Sequence, residues 1–240
     1  IGSVYRFQFN GDFYDKYNVP DTRAVHYIAN YSKDLVAFYT DLGGERITLY
    51  STSENRIVRR FHEHPEYAIG VGLSPFYKYR DKLLLREAFG SYIYCLNRTK
   101  LEQFHSFDFG GKSIEPEEIM SYGPEKLLKE FATLELGMMY KLWTTESDDF
   151  LISSFKYKSD IFTYILNKRI NVGVLIKKFN SGSSFFYNPT LYNNHLYAVI
   201  QANYLNIYIT DDDKKDYKIY NLNRISEYSN PVLLISDLKK

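Results

Sequence analysis

His62-Glu63-His64 places two imidazoles two residues apart. Alternate residues of a strand share a face, so both rings could reach one metal ion or one ligand. A metal site needs a third ligand, and no spacing in the chain supplies it. The expectation is therefore no metal and no cofactor, with His62 and His64 kept as candidate ligand-binding residues. The plainer reading of the triplet is a solvated turn ahead of Pro65. His26, His105 and His195 are scattered, and packing on strands suits each of them. Arg86 stands where an apolar strand runs into a loop, and Arg23 precedes another strand; a guanidinium at either place could hold an anionic group. Trp143 shares a strand face with Tyr140 and Met138 and could stack on a sugar or peptide, although core packing is the plainer role.

Other groupings carry less. Asp211-Asp212-Asp213 lacks the alternating acids, the sixth-position Gly and the distal Glu of a calcium loop, so a solvated hairpin is expected. Glu115, Glu117 and Glu118 look like acids at a helix start, and adjacent helix residues do not face one bond as glycosidase carboxylates must. Gly43-Gly44 and Gly110-Gly111 are turns without the Gly-Lys-Ser/Thr of a phosphate loop, and no Gly-x-Ser-x-Gly elbow occurs. Cys95 is the only cysteine, so no intramolecular disulfide forms, and its apolar flanks suggest a buried, inert thiol. Lys+Arg is 30 against Asp+Glu 29, which provides no basic field for nucleic acid. No apolar run approaches the roughly 18 residues a spanning helix needs.

The elements that would position these residues are strands. Among 240 residues there are 24 Tyr and 17 Phe, types that favour a pleated, half-buried surface. A pattern of strand, polar turn and strand recurs. It runs from Val4 through Asn10-Gly11 to Tyr17, from Ile47 through Ser53-Glu54-Asn55 to Phe61, and from Tyr92 through Asn97-Arg98-Thr99 to Phe107. A looser copy runs from Asp160 through Asn167-Lys168-Arg169 to Phe179. Tyr5 to Tyr50 is 45 residues and Tyr50 to Tyr94 is 44. Asn-Gly between strands is a strong hairpin signal. A second, Tyr-rich hairpin precedes each later copy. Two hairpins in about 44 residues make a four-stranded antiparallel unit, and that unit repeated is a propeller blade. The fold expected is all-β: a single β-propeller domain over 1–240, with an outer half-blade at 1–19 and blades at about 24–61, 71–107, 136–179 and 185–238. Pro116 and Pro124 with the acids that follow them predict short helices in an insertion over 114–131. A β-sandwich with accidental periodicity is the alternative.

Three stretches carry a family likeness: Ser74-Pro75-Phe76-Tyr77-Lys78-Tyr79 with Leu83-Leu84-Leu85-Arg86-Glu87 and Ile93-Tyr94; Phe107-Asp108-Phe109-Gly110; and Asn230-Pro231-Val232-Leu233-Leu234-Ile235. Together they resemble the six-bladed β-propellers of Bacteroides-type envelope proteins, distantly like NHL and TolB propellers. The resemblance implies about four and a half blades here, six in the complete protein, and a chain that is the C-terminal portion of something longer. It also implies a location outside the cytoplasm, in the periplasm or at the cell surface, and leaves open a lipid anchor on an N-terminal segment outside this sequence. Ligands would bind at the channel mouth. The leading expectation is a non-catalytic protein that binds a peptide, a glycan or another envelope protein. A hydrolase or lyase at the channel mouth, and a plain scaffold, are the alternatives.

Overall fold

The computed structural model describes residues 2–8, 10–19, 25–40, 44–64, 74–113, 125–126, 129, 140–158, 160–177, 189–200 and 232–238. These form five antiparallel sheets. The first is a hairpin of β1 (Gly2–Phe7) and β2 (Phe13–Val19). Then come three four-stranded meanders: β3 (Val25–Asn30), β4 (Leu35–Thr40), β5 (Gly44–Ser51) and β6 (Arg56–His64); β7 (Phe76–Tyr79), β8 (Lys82–Arg86), β9 (Tyr92–Leu96) and β10 (Leu101–Ser106); β11 (Tyr140–Glu146), β12 (Phe150–Tyr157), β13 (Asp160–Asn167) and β14 (Val172–Ile176). The last sheet joins β15 (Thr190–Tyr192), β16 (His195–Ile200) and the C-terminal β17 (Val232–Asp237).

Turn chemistry fixes the registers. Asn55 has a φ of 53° between β5 and β6, and Asn193 and Asn194 have φ of 47° and 62° between β15 and β16. Left-handed backbone at both central residues matches the right-handed twist of the flanking strands, and Asn tolerates it. Gly11, at φ 92°, turns β1 into β2, and its amide donates to the Gln8 carbonyl over 2.9 Å.

Successive sheets stack face to face through apolar clusters. Val19, Phe38 and Tyr50 join the first sheet to the second, with the Tyr17 and Tyr50 rings stacked at 5.6 Å. Leu35, Ala37, Ile47, Leu49 and Phe61 meet Phe76, Leu83, Leu85 and Leu96 between the second and third. Phe107 and Phe109 set their rings edge-on against Phe155 at 5.1 and 5.0 Å between the third and fourth. Trp143, Phe150 and Ile152 meet Leu191 and Leu196 between the fourth and fifth. The leading strand of the fourth sheet, β11, adjoins the leading strands β7 and β15 of its neighbours. The trailing strand β14 is exposed along Val172, Val174 and Leu175.

The five sheets carry the hairpin units expected from the 44-residue spacing. They are open, however: among the described residues no hydrogen-bonded strand joins the first sheet to the last. The NHL/TolB-like propeller expected from the sequence is thus corrected: the described residues form a series of open, stacked sheets. Of the expected helical insertion, Glu125, Lys126 and Lys129 are helical and the rest lies outside the described residues, as do Asp211 to Asp213.

Candidate functional site

Among the described residues, two groups of ionisable side chains are built around buried carboxylates at sheet junctions, Glu87 and Glu146, and one of them includes a predicted residue. Arg86 ends β8. The strand reads Lys82-Leu83-Leu84-Leu85-Arg86, and its last four residues are all buried. The guanidinium is therefore drawn into the protein rather than offered at a loop. Its Nη1 donates to the Lys141 carbonyl at 2.5 Å and its Nη2 to the Ser74 carbonyl at 3.1 Å. Burial pulls the group down to about 10, partly opposed by Tyr39, Tyr27, Tyr77 and Glu87, so it remains a cation at neutral pH.

Three more charged side chains share that end of the sheets. Glu87 follows Arg86, and Arg46 stands near the start of β5 on the neighbouring sheet; Arg46 Nη1 donates to Glu87 Oε2. Lys141, the second residue of β11, is fully buried and donates through Nζ to the carbonyls of Phe89, at 3.1 Å, and Gly90. Its amide donates to the Ala88 carbonyl at 2.7 Å. A β-bulge between Lys141 and Trp143 adds one residue to β11, and such bulges re-aim the side chains beside them. Among the described residues, Arg46, Arg86 and Lys141 thus lie buried with one carboxylate, Glu87. Carbonyl dipoles supply much of the compensation.

The second place ties the third sheet to the fourth. Glu146, at the end of β11, is buried to 1% side-chain exposure. It accepts from Lys168 Nζ at 2.5 Å and lies 3.0 Å from His105 Nε2. The Tyr77 hydroxyl donates to Glu146 at 3.4 Å, and burial with the carboxylate beside it raises Tyr77 far above the ordinary phenol range. Lys168 Nζ also sits 4.1 Å over the Tyr79 ring.

The other predicted residues are placed apart. His62 and His64 fall within β6 rather than in a turn, with Gly44 opposite His64. Arg23 lies outside the described residues. Trp143 is 6% exposed inside the apolar cluster between the fourth and fifth sheets. Among the described residues no group of three or more His, Cys, Asp or Glu could hold a metal ion, and no helix is long and apolar enough to cross a membrane. Arg46, Glu87, Lys141, Glu146 and Lys168 were not singled out by sequence reasoning. One signal was there: Lys141 interrupts the apolar run Tyr140, Leu142, Trp143, and a charge inside such a strand needs a partner.

No curated protein matches this chain. Among solved structures, one from Bacteroides fragilis, whose name proposes an exported protein, matches with a TM-score of 0.69 at 15% identity, over 99% of this chain and 72% of that one. At that identity the likeness is one of fold. The family found is not that of NHL or TolB propellers, which corrects the resemblance drawn from the sequence. The model of a domain of unknown function, DUF4934, matches residues 2–237, and the chain belongs to that family.

Proposed function

We propose that this protein is a non-catalytic binding protein that works outside the cytoplasm, with its stacked sheets arranged as the blades of a propeller. Three four-stranded meanders in succession, with β11 adjoining both β7 and β15, support the blade arrangement. The Bacteroides neighbour, named for export, supports the location.

The observation that carries the binding reading is the group Arg46, Arg86, Glu87 and Lys141. Its members come from β5, the β8 end and β11, and thus from three different sheets that meet at one end. Rigid strands are better platforms for recognition than loops. Burying that many charges is costly, and a fold needing only cohesion would fill the place with apolar side chains more stably. The His105–Glu146–Lys168 group would be the starting point for a hydrolase. There, however, His105 Nε2 is turned onto Glu146, and the contact joins two sheets.

A thermal-shift panel of glycans, peptides and anions tests the reading. A ligand that raises Tm in proportion to the logarithm of its concentration is expected. Turnover of an ester or glycoside substrate, abolished by His105→Ala, would replace binding with catalysis.

A further inference from the structure

We infer that the Arg46–Glu87 pair is the recognition point for a neutral, hydroxyl-bearing ligand of the sugar or polyol class, an inference that rests on the binding reading above. Arg46 is 7% exposed and Glu87 5%. They touch through Nη1 and Oε2. That contact leaves Arg46 Nε–H and Glu87 Oε1 buried, without a hydrogen-bond partner among the described residues. A buried polar group left unsatisfied is costly, the more so when charged, so two on one ion pair call for something that completes them.

The two orphan groups are of opposite kind, a donor and an acceptor, and this selects the ligand. A carboxylate, phosphate or sulfate oxygen would accept from Arg46 Nε and be repelled by Glu87 Oε1. An ammonium would satisfy Glu87 and be repelled by Arg46. A hydroxyl accepts from the first and donates to the second. Arg86, cationic and anchored on two carbonyls, immediately precedes Glu87 in the chain. Tyr27, Tyr39 and Tyr77 lie near enough to act on the Arg86 guanidinium. The Tyr27 and Tyr39 ring centroids are 6.3 Å apart and those of Tyr39 and Phe76 6.2 Å. Aromatic surface near Arg86, the residue before Glu87, suits the C–H face of a sugar ring.

The test titrates the wild-type protein with methyl glucoside, methyl galactoside and methyl mannoside, and with sodium sulfate at constant ionic strength. Calorimetry and the arginine Nε–H resonances are the readouts. At least one glycoside is expected to bind saturably and to shift an Arg Nε–H signal that Arg46→Lys removes. Arg46→Lys and Glu87→Gln should each weaken binding about tenfold or more, as loss of a hydrogen bond to a charged group does. Far-UV circular dichroism checks that each variant folds, and the wild-type resonance shift carries the test if one does not. Sulfate binding that tightens in Glu87→Gln would overturn the inference in favour of an anion. Glycoside binding unchanged in both variants would overturn the site and leave the binding function standing. Binding by none of these probes would assign the orphan atoms to an internal water; the function itself then stands or falls on the glycan and peptide panel.

Discussion

Trp143 is the single tryptophan, which makes its surroundings directly measurable. It is 6% exposed and packs with Phe150, Ile152, Leu191 and Leu196, so it bridges the fourth and fifth sheets. An aromatic side chain of this size buries roughly 200 Å². At about 25 cal/mol/Å² that is about 5 kcal/mol as an upper value, and truncations of buried Trp to Ala cost about 3–5 kcal/mol. Trp143→Ala should therefore destabilise by about 4 kcal/mol in urea melts followed by far-UV circular dichroism. Trp143→Phe keeps most of the contact and should cost roughly 1–2 kcal/mol. In the wild type, Trp emission should be blue-shifted and should move to the red in the same urea range as the dichroism, if the two sheets unfold as one unit. A ligand-stacking Trp behaves differently. If Trp143→Ala melted within 1 kcal/mol of wild type and lost ligand affinity, the packing argument would be refuted.

The Arg46–Glu87 pair gives a double-mutant cycle. Glu87→Leu alone should cost about 3–5 kcal/mol by stranding a buried guanidinium, while Arg46→Met with Glu87→Leu should return to within about 1 kcal/mol of wild type or exceed it; additive losses would show that the two groups do not act as a pair. Glu146→Leu should loosen the third sheet from the fourth, costing roughly 2–4 kcal/mol with faster amide exchange along β10 and β11. Unchanged exchange there would refute the tie. Cys95 is buried, and burial pushes its thiol up, so a thiol reagent should modify it only as the protein unfolds. Because the folded state holds that proton longer, the Cys95 contribution to stability is full below the unfolded thiol value of about 8.5 and declines as pH rises above it; Cys95→Ala should flatten that decline. Val174→Lys, on the exposed edge strand β14, should shift stability by no more than about 0.5 kcal/mol while improving solubility.

The strands were legible because their signals are local. Asn10-Gly11, Ser53-Glu54-Asn55 and Asn193-Asn194 mark turns by chemistry that needs no partner, and each lies at a hairpin turn of the structure. The C-terminal strand Val232–Asp237 pairs directly with β16, a neighbour that its own residues do not announce. Family membership was not legible, because Ser-Pro-Phe and Asn-Pro-Val-Leu are strand and turn signatures that any blade-like sheet can carry. How the sheets close against one another was equally hidden, since it depends on faces supplied by residues far apart in the chain.

The candidate site was hidden for the same reason, sharpened by electrostatics. Arg86 drew notice for its position at a loop, where a guanidinium is accessible, yet it is held in the interior by the carbonyls of Ser74 and Lys141, the second 55 residues away. Glu87 and Arg46 are 41 residues apart and meet only because the second and third sheets stack through Ile47, Leu49, Phe76 and Leu85. The apolar contacts thus set the distance between the charges, and the charges in turn define one face-to-face arrangement of the sheets. A register slip of one residue in β5 would turn Arg46 to the opposite face and bring Ile47 to the place of an ion-pair partner. Stability is a weak reason to keep such a pair, because an apolar replacement can do as well. What the pair adds is a fixed donor and a fixed acceptor where two sheets meet, and the proposed ligand class rests on that feature.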